Sequence, residues 1–316
     1  MRAAFRAGPV HVRVPATSAN LGPGFDCLGL ALGLHDDVVA RATDGGLDID
    51  VAGEGEALAR DEGHLVVRAM RATFDKLGGQ PYGLQLSCAN RIPHGRGLGS
   101  SAAAIVAGVV LARGLVVGGE HRLPDADAFA LAARLEGHPD NVAACFYGGL
   151  TIAWTQDRRA RAVRAEVSDA LRPVVLVPPF ESSTATARGA LPRTVPHADA
   201  THAAARSALL VAALTGALDG AGADTLLAAT EDRLHQPYRA ANAPATTELI
   251  AGLRDRGLAA VVSGAGPTVL VLARDEVEVE IVTAATPAGW RCDPLAVDVS
   301  GARIVPVRTA TGPSGP

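Results

Sequence analysis

The sequence predicts a protein of mixed α and β structure in two lobes, and three observations carry that prediction. Its 316 residues exceed what one domain of ordinary size needs. Strand-like and helix-like stretches follow one another along the chain. Around 168–172 a hairpin pattern gives way to a new strand. This places the first lobe at 1–170 and the second at 171–308, with a Gly- and Pro-rich tail over 309–316 that is expected to be loose.

In order, residues 10–14 alternate as a strand does and run into the turn cluster Pro15-Ala16-Thr17-Ser18-Ala19-Asn20. Residues 28–34 and 37–42 read as two further strands, an antiparallel start. Residues 64–77 place apolar side chains at helical spacing and stop at Gly78-Gly79. A short strand at 84–89 leads through a glycine-rich loop into a long Ala- and Val-rich helix ending near 117. Residues 125–135 form a helix behind Pro124, a shorter helix follows Asn141 and stops at Gly148-Gly149, and 150–155 pairs with 163–167 as a hairpin. The second lobe begins with a strand at 173–177. It continues with helices at 198–219, 224–230 and 246–256, strands at 258–263 and 269–273, a helix at 275–286 and a strand at 291–299.

Composition narrows the function classes. Hydrophobic residues make up 48% of the chain and charged ones 20%, so it can bury a core, and with aromatics at 3% that core must be built from Ala, Val and Leu. The net charge of −4 is spread without runs of one sign, which gives no footprint for a nucleic-acid backbone or an anionic membrane. No apolar run approaches the ~18 residues of a membrane span, and residues 1–14 lack a signal core, so a cytoplasmic protein is expected. Cys27, Cys88, Cys145 and Cys292 lie too far apart for a zinc or disulfide pattern and read as reduced, mostly buried thiols.

The chemistry concentrates in Pro93-His94-Gly95-Arg96-Gly97-Leu98-Gly99-Ser100-Ser101-Ala102-Ala103. Three glycines at alternate positions let successive backbone N–H groups point into one concavity where a helix begins, which is an anion cradle. No Gly-Lys-Ser/Thr ends it, so it is not a Walker loop, and the spacing is wrong for a dinucleotide fingerprint. Of the two hydroxyls at the helix start, one can cap the helix and the other can offer a hard oxygen to Mg²⁺. Ser101 is favoured for the metal, with Ser100 the alternative.

This loop resembles the phosphate loop of the GHMP kinases. Two more blocks similar to that superfamily stand in the right order, Pro15-Ala16-Thr17-Ser18-Ala19-Asn20-Leu21-Gly22-Pro23-Gly24-Phe25-Asp26 and Ser263-Gly264-Ala265-Gly266-Pro267-Thr268. The form of the first block is similar to homoserine kinases, and the likeness spans about Val12 to Val305. It implies an α+β fold with a ribosomal-S5-like N-terminal domain and a ferredoxin-like C-terminal domain. It also implies transfer of the γ-phosphate of ATP to the hydroxyl of L-homoserine, on the route to threonine, with Mg²⁺; a homodimer is compatible with it.

By the same resemblance residues 93–103 hold the ATP phosphates, and Ser101 and Glu136 hold Mg²⁺. Asn20, Asp26, His138, Asn141, Thr184, Arg188, Arg239 and Gly264 lie at the amino acid, the two arginines clamping its carboxylate, Asp26 its amine and Asn20 its hydroxyl end. Glu136-Gly137-His138-Pro139-Asp140-Asn141 carries four polar side chains in six positions, denser than a connector needs. Singly, each of these residues also reads as a cap or a surface charge.

Lys76, the chain's only lysine, falls outside all of these motifs, which argues against a lysine-assisted base. Either Asp140 or a phosphate oxygen takes the hydroxyl proton after alignment by Asn20 and Asn141, and the sequence leaves both open. His64-Leu65-Val66 stands where the family usually has an Asn-Leu-Val adenine contact, a departure from the family pattern at the base site. The rivals are a GHMP kinase for another small alcohol and a regulator of the same fold without turnover. The regulator would need a damaged Mg²⁺ site, whereas Ser101 and Glu136 are both present.

Overall fold

The computed structural model describes residues 3–218 and 222–306, so the tail expected at 309–316 lies outside the described residues. The first lobe runs β1 (Val10–Ala19), β2 (Leu28–Thr43), β3 (Gly46–Gly53), α1 (Leu65–Leu77), β4 (Gly83–Asn90), α2 (Ser100–Leu115), α3 (Gly119–Arg122), α4 (Asp125–Glu136), α5 (Pro139–Tyr147), β5 (Leu150–Gln156) and β6 (Arg159–Ala165). Then come β7 (Arg172–Val177), α6 (Thr184–Gly189), α7 (His197–Leu214), α8 (Ala223–Ala229), α9 (Gln236–Arg239), α10 (Pro244–Arg254), β8 (Ala260–Val262), β9 (Val269–Ala273), α11 (Glu276–Ala284), β10 (Arg291–Pro294) and β11 (Arg303–Val305).

The first sheet has the order β11-β1-β2-β4-β3, with β5 joining β2 beyond β4 and β6 pairing β5. All its pairs are antiparallel except β3 with β4. The second sheet, β10-β7-β9-β8, is antiparallel throughout. Its chain order of strand, helices, two strands, helix and strand is the ferredoxin-like arrangement that the resemblance implies.

Small aliphatic residues fill the core, with Phe74 and Phe129 its largest fully buried side chains. α2 is apolar on almost every side because it packs on β1, α1 and α4 at once. Among the described residues no helix is long and apolar enough to cross a membrane. All four cysteines are free; Cys88 and Cys145 are buried, Cys27 and Cys292 half-buried.

Several expectations are corrected. The cluster at 15–19, read as a turn, continues β1, and the register shifts between Pro15 and Ala16. Proline has no N–H for the ladder, so a strand accommodates it at such an irregularity. The two strands expected at 28–34 and 37–42 are one strand of 16 residues. The helix expected at 198–219 ends at Leu214; Asp219 is not among the described residues.

β3, missed in the sequence, is an edge strand that buries only Ile49 and Val51, too few apolar positions for a pattern to stand out. The strand expected at 291–299 stops at Pro294, and the chain crosses to the first sheet, where Val297 bridges Leu32 and β11 pairs with β1. Asp298 fastens this crossing: one carboxylate oxygen accepts from Ser300 and Gly301 N–H, the other from Arg303 and lies 2.5 Å from His35 Nε2. Burial opposes its charge, yet the hydrogen bonds outweigh burial and hold the carboxyl at about 2.

Candidate active site

The three glycine-containing blocks, remote in sequence, meet at one point. Ser263 Oγ lies 2.7 Å from the Gly97 carbonyl oxygen and 2.8 Å from Ser18 Oγ. Thr17 N–H donates to the Leu98 carbonyl and Gly264 N–H to that of Ala19. Beside this junction opens a cleft of about 350 Å³ lined by both lobes. Its walls include Gly95, Gly97, Gly99, Ser100, Ser101 and Glu136, together with Asn20, Asp26, His138, Asp140, Asn141, Thr184, Arg188, Arg239 and Gly264.

In the glycine loop, Gly95, Gly97 and Gly99 all have left-handed backbone, with φ of 64°, 78° and 70°. Space forbids side chains as well: a Cβ on Gly97 would stand 2.3 Å from the Ser263 carbonyl oxygen, and one on Gly99 1.9 Å from Thr17 Oγ1. Gly99 is the N-cap of α2, just before its first residue Ser100, and no side chain caps the helix, so the capping role expected of one serine is not found. Pro93, Leu98 and Ala102 are buried beneath the loop. Arg96 turns away from the cleft and donates to the Pro178 and Pro179 carbonyls, so its side chain ties the lobes together.

Ser101 Oγ donates to Glu136 Oε1 at 2.5 Å. Burial pushes the Glu136 carboxyl up, and the Ser101 hydroxyl acts in the opposite direction. Two hard oxygens facing the phosphate cradle suit an ion that fills its remaining positions with water and phosphate oxygen. Among the described residues no cluster of three or more His, Cys, Asp or Glu could hold a metal.

Within the same cleft Asp26 and Arg188 form a two-pronged ion pair at 2.6 and 3.2 Å. Thr184 stands one turn before Arg188 on α6, and both line the cleft. Arg239 is 6% exposed and donates only to uncharged acceptors: the Ala187 and Gly264 carbonyls and His235 Nδ1. It has no carboxylate within ion-pair distance among the described residues, and burial together with the nearby Arg188 charge lowers its pKa.

Asn20 is occupied at both ends: Oδ1 accepts from Asp26 N–H and Nδ2 donates to the Gly264 carbonyl. Asn20, Leu21 and Asp26 all have positive φ, local strain of the kind stored at functional loops. Asn141 Oδ1 accepts from Thr17 Oγ1 at 2.7 Å, which orients the amide with Nδ2 left to donate. Asp140 is 3% exposed, and burial drives its carboxyl up to about 6, although one oxygen accepts from Asn141 N–H. His138 is the N-cap of α5, and burial, with Arg188 near, lowers its pKa.

With the geometry in place, comparison with known proteins decides the family. Residues 64–149 match the GHMP kinases N terminal domain and 209–291 the GHMP kinases C terminal domain. The chain is 58% identical over 309 residues to the homoserine kinase of Streptomyces coelicolor, covering 98% of both proteins. It is 57% identical to that of Streptomyces avermitilis, over 96% of this chain and 98% of the relative. The chain belongs to the homoserine kinase family of GHMP kinases. Among solved structures, homoserine kinase from Cytophaga hutchinsonii superposes with a TM-score of 0.80 at 25% identity, covering 96% of this chain and 98% of that one. A putative homoserine kinase from Listeria monocytogenes gives 0.74 at 28%, covering 94% and 99%.

For a member of this ATP-using family, a second cavity of about 400 Å³ gains meaning. It shares Ser100 and Ser101 with the cleft and is lined mainly by apolar groups, among them Val38, Leu65, Val66, Ala103 and Ala104, with His64, His94 and Asp36 as polar points. His64 is buried, burial lowers its pKa, and its Nδ1 has no partner.

Sequence reasoning missed Thr17, Phe25, Ser182, Ser183, Ala265 and His235. Phe25 lies face to face with His235, ring centroids 5.2 Å apart, and carries the Arg188 and Arg239 guanidinium carbons 5.8 and 5.3 Å from its centre. Thr17 and Phe25 lie within the first block and Ala265 within the last, so these three had a signal. His235 lies four residues before Arg239, one helical turn away, a spacing that means nothing until the arginine is known to be buried.

Proposed function

We propose that this chain binds ATP and L-homoserine in adjoining cavities and transfers the γ-phosphate to the homoserine side-chain hydroxyl, giving O-phospho-L-homoserine and ADP. The observation that carries the reading is Arg239, a buried guanidinium with only neutral acceptors, beside the Asp26–Arg188 pair. A desolvated cation with no carboxylate in direct contact favours an anionic ligand, and the Nη2 N–H groups, the ones without a protein acceptor among the described residues, can donate to a carboxylate oxygen. Asp26 supplies the opposite charge for an ammonium. The wall is therefore built for a zwitterion, and an amino acid with a free hydroxyl is the substrate class it fits.

In this reading the N–H groups of residues 95–101 hold the phosphates, and the apolar cavity takes the adenosine. Ser101 and Glu136 would hold Mg²⁺, which when bound neutralises charge on the phosphates. Asn141, oriented by Thr17, donates to the hydroxyl oxygen and aligns it. Asn20 keeps the Asp26 loop and the Gly264 loop in register, a positioning role beside any contact with the hydroxyl. In this reading Asp140, which lines the same cleft next to Asn141, takes the hydroxyl proton, and its raised carboxyl gives it a basicity suited to neutral pH. We place the enzyme in the cytoplasm, in keeping with its free thiols.

The test is ADP release by the purified protein with Mg-ATP and, separately, homoserine, serine, threonine, mevalonate and galactose. Turnover with homoserine far above the others is expected. Turnover with mevalonate or galactose instead would remove the amino-acid reading. Binding of ATP with no turnover on any alcohol would make the chain a regulator.

A further inference from the structure

His235 is fully buried, with both ring nitrogens engaged. A guanidinium offers only donors, so Nδ1, 3.1 Å from Arg239 Nη1, must present a lone pair. The ring proton is then on Nε2, which donates to the Gly22 carbonyl at 2.8 Å. Asp232 Oδ2 lies 3.4 Å from the same nitrogen, but it is already an acceptor for the His235 and Gln236 N–H groups that start α9. Phe25 covers one face of the imidazole and also carries Arg239. The other charged groups acting on the ring are Asp26 and Arg239 itself, and burial is the largest influence on it, keeping it neutral.

We infer that His235, as the neutral imidazole carrying its proton on Nε2, is the positioning residue that aims Arg239 at the carboxylate of the amino-acid substrate. Gly22 belongs to the loop that holds Asn20 and Asp26, so the same ring couples the second-lobe arginine to the first-lobe loop. With Nη1 held by His235 Nδ1 and the Gly264 carbonyl and Nε by the Ala187 carbonyl, the Nη2 N–H groups are the ones left for a ligand in the cleft that Arg239 lines. The inference rests on the reading of Arg239 as the carboxylate ligand.

Three variants and one measurement on the unmodified protein test it. His235→Asn keeps an acceptor oxygen near the δ position, and KM for homoserine should stay within about threefold of the parent. His235→Gln moves the amide toward Gly22 and leaves Arg239 without that acceptor, so KM for homoserine should rise about tenfold or more, with kcat and KM for ATP nearly unchanged. Equal KM changes in both variants, or a fall in kcat with KM intact, would overturn the positioning role. Arg239→Ala separates the two layers: if it leaves KM for homoserine unchanged, the carboxylate reading fails beneath the inference. If it raises KM while His235→Gln does not, only the inference fails. In the unmodified enzyme, ¹⁵N shifts of the His235 ring should report the Nε2–H tautomer, and an Nδ1–H tautomer would refute the inference even if the variants do not fold.

Discussion

Asp26 and Arg188, 162 residues apart in sequence, hold each other by two parallel hydrogen bonds across the mouth of the cleft. Both side chains are about a third exposed, at 35% and 34%, so solvent screens the pair and its contribution to stability is about 1 kcal/mol or less. The arrangement therefore serves the ligand more than the fold. A zwitterionic substrate can insert its ammonium toward Asp26 and its carboxylate toward Arg188 and replace one pair by two.

Arg188→Ala should raise KM for homoserine by about 10- to 100-fold, the worth of a charge-assisted hydrogen bond, with KM for ATP little changed. The melting temperature should stay within a few degrees of the parent. Steady-state kinetics with each substrate varied in turn, together with a thermal scan, check both halves. An equal loss for both substrates would argue against the assignment.

Gly99→Ala confronts two costs at once, a φ of 70° and a Cβ 1.9 Å from Thr17 Oγ1. Relief would require displacing Thr17, whose hydroxyl orients Asn141. Nucleotide binding measured by calorimetry and kcat should both fall, kcat by at least about tenfold, beyond the ~1–3 kcal/mol of local strain seen as lost stability.

Glu136→Gln keeps the size of the side chain and removes its charge. The Mg²⁺ concentration for half-maximal rate should rise about tenfold or more, read from titrations at fixed ATP. Ser101→Ala should move the same quantity in the same direction, and Ser100→Ala much less, which distinguishes the two adjacent hydroxyls.

Asp140 yields a pH prediction with a defined sign. Its folded-state carboxyl sits at about 6, above the ordinary 3.8, so the folded protein binds this proton more tightly than the unfolded chain. The linked stability is fully present below about 4 and is lost as pH rises through about 6. Asp140→Asn should therefore raise the melting temperature at pH 8, by an amount on the order of 3 kcal/mol in stability, and have little effect at pH 4. Its kcat/KM should fall at least about 100-fold, and the acid limb near pH 6 of the parent profile should disappear.

The glycine loop was legible because its geometry is local: alternating glycines before a helix state their own purpose. The Glu136–Asn141 cluster was legible for a similar reason, since polar density survives in one dimension. The roles of Thr17 and His235 were not, because each acts through a partner more than a hundred residues away or through a buried charge that only the fold creates. β1 was cut short at Pro15 because turn-forming residue types there are held extended by Leu98 and by β2, a tertiary override of local preference. The first sheet's outermost strand, β11, was invisible because three residues carry no period.

That strand also sets an order of events during synthesis. The sheet that supports the phosphate loop is bordered by residues 303–305, made after the whole ferredoxin-like lobe. On the ribosome the first lobe must wait with one edge of β1 open until the second has emerged, and the Asp298 clasp with His35 and Arg303 then seals it. The two lobes are thus interleaved in time as well as in space, and a chain released before Arg303 would leave the first lobe with an unpaired, aggregation-prone border.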